Sequence, residues 1–375
     1  MTDPRHQLAQ TLRMRREFVE DLNVVAGFDG FVDQLAQIVE ERQNLETFSP
    51  VPTISRFSEL IGQAAGRSSL REFVVRSVDA GGCAVNLGDG IASLGVNLDY
   101  FGTLGEPVHP AFESFVKNCR SCTSWGREPG FTMAMEFQDG KYMLSSVSQL
   151  GEFDETNVEN HLADGAFQSA CISAPLIALT NWTLYPHMTA CWALLQRQVF
   201  ANLEHNPWYF VDLVDPRGRS KADLREMLPV LSAFENHGRC ILGGNLNEAN
   251  VIASLLGIGE VNEEGPAVAE LCQALRVALN ISEVAIHCIA GAAVATTEGE
   301  TWVDGPYTPS PVKSTGAGDR YNAGYCLGRM LDLCETDRCL LGVATSGFFV
   351  RNARSGSLDE IADFLEAWSK KNLKD

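Results

Sequence analysis

The stretch Pro311–Met330, PVKSTGAGDRYNAGYCLGRM, decides how the rest of the chain is read. Gly316, Ala317 and Gly318 precede a helical pattern that begins at about Asp319. Residues this small let several backbone N–H groups converge without a Cβ in the way. The helix that follows adds partial positive charge at its N-terminus, so the loop is an anion site. Asp319 stands in the same field, which keeps its carboxylate ionised and able to take a proton from a hydroxyl. A base beside an anion hole can move a phosphoryl group onto an alcohol. Taken alone, the same four residues are equally a plain helix start with Asp as its cap.

Outward from this stretch the chain alternates strands and helices. Short apolar runs ending in Gly, Asp or Asn recur at NVVAGFD, LDYFGTLGE, WYFVDLVDP, CILGGNLNE and EVAIHCIAG. Helical patterns lie around them at 83–95, 186–204, 221–237, 247–256 and 265–280, and residues 7–21 are charged and helical in character. Such alternation predicts an α/β fold: a mostly parallel sheet, Rossmann-like, with helices on both faces. Ligands in these folds sit beyond the carboxyl ends of the strands, so the polar residues ending the runs are candidates for one crevice. Two segments depart from the rhythm. Residues 71–80 and 131–148 alternate apolar and polar, and Asp139-Gly140 marks a hairpin in the second. They predict a small β-sheet projecting from the main body. The segment 40–70 is loop-like with helical patches and finds no place in this scheme.

The 375 residues are 45% hydrophobic, with a net charge of −19. So acidic a surface repels phosphate backbones, which argues against nucleic-acid and anionic-membrane partners. The eleven cysteines are scattered, and the closest pair, Cys119 and Cys122, has no second pair to complete a zinc site. With no signal-peptide pattern and no apolar run of spanning length, a reduced, cytoplasmic protein is expected. No G-x-G-x-x-G follows the first strand, which disfavours a dinucleotide-binding dehydrogenase.

The stretch TGAGDRYNAGY (315–325) resembles the second signature of the PfkB carbohydrate kinase family, the ribokinase-like sugar and nucleoside kinases. Residues 79–106, DAGGCAVNLGDGIASLGVNLDYFGTLGE, resemble its first signature; NLNE (245–248) resembles its N-x-x-E motif; and GFDGFVD (27–33) resembles its substrate loop. The resemblance spans about residues 23–356. It implies one ribokinase-like domain over 1–375, with lid strands drawn from about 34–80 and 131–148. It also implies transfer of the γ-phosphate of ATP to a sugar hydroxyl. In that reading Asp319 is the base, and the amides of Gly316, Ala317 and Gly318 form the anion hole. Asp33 and Asp29 bind sugar hydroxyls; Gly81, Gly82 and Asn86 line the acceptor; Gly291, Thr315 and Asn245 meet the nucleotide. Glu248 and Asn245 position Mg2+, largely through water. A homodimer through the lid is a further implication. A nucleoside kinase of the same family and a non-catalytic sugar-binding relative are the alternatives; intact Asp319 and the GAG loop argue against the latter.

Three positions depart from the family pattern. Lys313 stands where the signature usually has Asp, next to a monovalent-cation site in several members, so its ammonium could stand in for potassium or simply face solvent. Arg320 replaces a small residue; it is expected to point away along the helix or, alternatively, toward a phosphate. Arg217 replaces an Asn in DPRG (215–218) and is expected to be solvated.

Overall fold

The computed structural model describes residues 3–373. Fourteen strands run in chain order among the described residues: β1 Asn23–Gly27, β2 Phe31–Arg42, β3 Phe48–Pro50, β4 Phe73–Gly81, β5 Asn97–Gly102, β6 Ser121–Ser124, β7 Gly130–Phe137, β8 Gly140–Ser146, β9 Leu176–Thr180, β10 Trp208–Asp212, β11 Arg239–Asn245, β12 Glu283–His287, β13 Gly291–Thr296 and β14 Gly299–Asp304. Nine of them form one sheet in the order β14-β13-β12-β11-β10-β9-β1-β5-β6. All neighbours are parallel except β13, which runs antiparallel to β12 and β14.

The strands are apolar on both sides because both faces are covered. Along β9, Ile177 and Leu179 enter one core with Trp192 and Phe234, while Leu176 and Ala178 enter the other with Tyr100 and Tyr325. Helices Met188–Gln198, Lys221–Ser232 and Pro266–Leu279 cover the first face; helices Cys83–Ser93, Ala317–Met330 and Glu335–Asn352 cover the second. This is the predicted three-layer α/β fold. The sheet grows from β1 toward β5 and β6, then reverses and grows the other way from β9. A crevice opens at such a reversal, beyond the strands' carboxyl ends.

Several elements escaped sequence reasoning, and two of them bear on the site. The central strand β9 is only five residues long and follows Pro175, so it offers little periodicity. Directly after β1, where a loop was expected before lid strands from about residue 34, the chain enters the twelve-residue strand β2 at Phe31; its polar Asp33, Gln34 and Gln37 obscure its pattern.

β2 is the spine of the second sheet. It pairs antiparallel with β3 and β4 and parallel with β7, and β7 pairs with β8 across the Asp139-Gly140 turn. The sheet has its own small core, Ile38, Val51, Leu60, Met135 and Phe137. Helix Ile54–Gly62, from the segment the sequence left unplaced, packs Phe57 on Phe137 at 5.5 Å. The hairpin turn also helps start that helix, since Asp139 Oδ1 accepts from the Ile54 amide at 2.9 Å.

Candidate active site

The carboxyl ends of β1, β9, β10, β11 and β12 bring Asp29, Thr180, Asn181, Asp212, Asn245 and His287 toward one crevice, facing the N-terminus of helix Ala317–Met330. That helix begins two residues earlier than expected. Its cap is Gly316 at φ +86°, a conformation in which glycine carries no Cβ penalty. The Ala317 amide closes a turn onto the Ser314 carbonyl at 3.1 Å. Ala317 is therefore corrected from the anion hole to a turn residue. The amides of Gly316 and Gly318, which donate to no group among the described residues, remain for an anion.

Asp319 follows in the first turn. Asn86 Nδ2, from helix Cys83–Ser93, donates to its Oδ2 at 3.0 Å. Burial pushes the carboxyl up to about 7; repulsion from Asp212 adds to this, while Arg320 and the Asn86 hydrogen bond pull it down. A carboxyl there is half ionised near neutrality, suited to a general base.

Asp29 was expected at the sugar, and the structure corrects this. It is fully buried: its carboxylate accepts from the amides of Cys83 at 2.8 Å and Ala84 at 2.6 Å, from Thr180 Oγ1 at 3.1 Å and from Asn181 Nδ2 at 2.8 Å. Four donors leave no room for a sugar hydroxyl. Asp29 instead anchors the start of the helix that carries Asn86, and Gly82, at φ +101°, makes the turn into that helix directly over the carboxylate.

Asp33 lies on the lid strand β2, above Gly81, where any side chain would strike its carboxylate. It lines a pocket with Asp79, Asn86, Lys141, Met143, Lys313 and Thr315, so one pocket lies between the lid and the glycine loop. Thr315, expected at the nucleotide, lines this pocket. Burial raises Asp33 to about 6, with the Thr132 hydroxyl and the Lys313 charge pulling it back. The Lys313 ammonium stands 5.9 Å from the Phe349 ring centre.

Asn245 and Glu248 form a reciprocal capping box at the start of helix Leu246–Leu256: the Glu248 amide donates to Asn245 Oδ1 at 3.1 Å, and the Asn245 amide to Glu248 Oε2 at 3.0 Å. Burial, then repulsion from Asp212, pushes Glu248 up to about 8. Asp212, which the sequence pointed to only as one strand-end acid among several, is buried and accepts from Asn322 Nδ2 at 2.8 Å and the Val214 amide at 2.9 Å. Burial raises it to about 6. His287 was also missed. Its imidazole lies under the glycine loop, where a Cβ on Gly318 would come within 2.6 Å of it, and burial holds it near 4 and neutral.

Gly291, expected at the nucleotide, sits in strand packing. It is buried in the β13–β14 pair against Trp302 and the Val303 carbonyl, and the neighbouring Ile289 and Ala290 amides donate to Glu264. Arg217 is largely exposed and paired with Asp215. Arg320, expected on the surface, is buried. Its guanidinium donates to Asp89 Oδ2 at 2.7 Å, Ser355 Oγ at 3.1 Å and the Gly316 carbonyl at 3.5 Å.

Comparison with known proteins agrees with this arrangement. The model of the prokaryotic ketohexokinase family matches residues 3–368. A ketohexokinase from Haloferax volcanii is 28% identical over 355 residues, 94% of this chain and 93% of that protein. Among solved structures, ribokinase from Cryptococcus neoformans in complex with ADP is similar at a TM-score of 0.62 and 16% identity, covering 94% of this chain and 99% of that one. Arabidopsis thaliana ribokinase complexed with ribose and ATP is similar at 0.61 and 16%, covering 92% and 98%. A nucleoside kinase from Methanocaldococcus jannaschii is similar at 0.58 and 14%, covering 92% and 98%. At these identities the structures speak for the ribokinase fold; the family match speaks for more, and the chain belongs to the prokaryotic ketohexokinase family of carbohydrate kinases.

Proposed function

We propose that the enzyme transfers the γ-phosphoryl group of ATP to a hydroxyl of a ketohexose. One observation carries the reading: the Asp319 carboxylate follows two loop amides that donate to no group among the described residues, and it is fixed by Asn86, which itself lines the pocket under the lid. The acceptor hydroxyl gives its proton to Asp319 while its oxygen attacks the γ-phosphorus. The bond to the β–γ bridging oxygen breaks, and ADP leaves. The Gly316 and Gly318 amides meet charge on the transferring oxygens, and the helix N-terminus adds its field. Asp33 accepts from acceptor hydroxyls, and lid closure keeps water from competing as acceptor.

No group of three or more ligating side chains is assembled among the described residues. Burial, and then repulsion among Asp212, Glu248 and Asp319, nevertheless makes these carboxyls hold their protons above the usual range, a repulsion that a cation keeping much of its water, as Mg2+ does, would relieve. Glu248 and Asn245 would hold it, with Asp212 behind. When bound it neutralises charge on the nucleotide phosphates. The family's nucleoside-kinase alternative is disfavoured by a pocket lined with Asp33, Asp79, Asn86, Lys141 and Lys313 rather than aromatic walls. Exposed Val78, Tyr142 and Leu144 on the lid suit a second copy of the chain, and eleven unpaired cysteines suit a reducing, cytoplasmic setting. No helix among the described residues is long and apolar enough to cross a membrane.

The test is Asp319→Asn, assayed with D-fructose and Mg-ATP, with adenosine as the rival acceptor. A general base supplies about 10²–10⁴-fold, so kcat should fall by that factor with fructose KM nearly unchanged. Retention of kcat within threefold, or preference for adenosine, overturns the reading.

A further inference from the structure

We infer that Arg320 is a positioning residue of the phosphoryl-transfer site: its guanidinium clamps the glycine loop to the helix that carries Asn86 and supplies the fixed positive charge behind Asp319. The inference rests on the reading of Asp319 as the base.

Three segments meet at this one side chain. NH1 reaches the carbonyl of Gly316, the cap of the anion-hole helix, and lies so near that a Cβ on Gly316 would come within 2.8 Å of it. NH2 donates to Asp89, one turn after Asn86 on helix Cys83–Ser93. Nε donates to Ser355, which follows helix Glu335–Asn352, and the Ser355 hydroxyl in turn donates to Asp89 at 2.6 Å. The flat face of the guanidinium lies 4.5 Å from the Phe349 ring centre. With 8% of its surface exposed, the group is held on every side.

The clamp has a geometric and an electrostatic consequence. The Gly316 carbonyl accepts from the Arg320 guanidinium and, at 3.2 Å, from the Arg320 backbone amide, so the side chain and the first helical turn together hold the cap residue of the loop. Asn86 reaches Asp319 only while its helix keeps its distance from the loop, and Asp89 fixes that distance. The other charged or titratable groups around Asp319 are Asp212 at the end of β10, Asp29 after β1, Glu248 on helix Leu246–Leu256, Cys83 beside Asn86 and His287 under Gly318. His287 is neutral, and the other cation near the loop, Lys313, lines the pocket with Asn86 and acts on Asp33. Arg320 is the charge that favours ionised Asp319 against this acidic surround.

A fork of fixed donors meets three oxygens where an ammonium meets fewer. Arg320→Lys therefore separates charge from clamping. The measurements are kcat, fructose KM and the pH profile of kcat/KM for Arg320→Met and Arg320→Lys, with Asp319→Asn as reference. Arg320→Met should lower kcat by about 10–100-fold, as sub-ångström misplacement does, and move the acidic limb of the profile upward by about one unit. Arg320→Lys should lower kcat as well but leave the limb within a few tenths of a unit of the parent. Added guanidinium ion should restore part of the kcat of Arg320→Gly. If both Met and Lys variants keep the parental kcat and limb, whatever their melting temperature, the inference is overturned. If Arg320→Met does not fold, the Lys variant and guanidinium rescue decide it, and parental kcat in the one or no rescue in the other overturns it. An active Asp319→Asn enzyme removes the base reading itself, a different failure that is visible in the reference variant.

Discussion

The crevice and the lid meet at one pocket but are built in opposite ways. The crevice is crowded with carboxylates that are already committed: Asp29 to four donors, Asp212 to two, Glu248 to its capping box and Asp319 to Asn86. The lid is a half-solvated sheet on a core of five buried side chains, and its pocket residues have few partners, Thr132 for Asp33, Ser77 for Asp79 and Glu136 for Lys141. In the proposed reading the chemistry rests on a rigid scaffold, while recognition sits on the element with least to lose by moving.

The contrast can be broken at either end. Gly318→Val puts a branched side chain into the His287 ring, at the 2.6 Å approach already noted, and spoils one anion-hole amide. Loss of one such donor costs about 10²–10³ in kcat, so the variant should be nearly inactive while still binding fructose in a thermal-shift assay. Asp33→Ala removes a recognition carboxylate. Fructose KM should rise about 10–100-fold, as loss of one charged hydrogen-bonding group predicts, with kcat less affected. A matching fall in kcat would put Asp33 in the chemistry and erase the division. Phe137→Ala removes about 3–5 kcal/mol of packing by ordinary core rules. Because Phe137 belongs to the lid core alone, the loss should appear as faster amide exchange in β7 and β8, with the main sheet protected.

The smallest effect is the most general. Asp33, Asp212, Asp319 and Glu248 keep protons at pH values where an unfolded chain has lost them, because their folded values lie at about 6, 6, 7 and 8. Folding therefore takes up protons between about pH 4 and 8, and stability must fall as pH rises through that window. The melting temperature should decline by a few degrees from pH 5 to 8, and Asp212→Asn should flatten the slope. A Tm that rises across the range counts against the buried charge cluster.

Sequence reasoning recovered the crevice better than the lid, for a physical reason. Strands buried on both faces read as apolar runs, and the polar residue ending each one marks the crevice, so β1, β5, β10, β11 and β12 were all legible. Short β9 behind a proline was not, and with it went Thr180 and Asn181. Strand β2 was hidden because a sheet with a ligand on one side and water on the other has no reason to alternate cleanly. Single residues were misjudged when their partner lies far away in sequence. Nothing near Arg320 announces Asp89 or Ser355, and nothing near Asp29 announces that helix Cys83–Ser93 will start on top of it.

The four-donor knot at Asp29 has a bearing on how acceptor range could change in this architecture. A floor residue that ties two strands to a helix cannot be exchanged to suit a new sugar without loosening the base's own tether, since Asn86 stands on that helix. New substrates are then best sought by altering the roof, at Leu35, Asp79, Lys141 and Met143, where a side chain can be traded and the engine below left untouched.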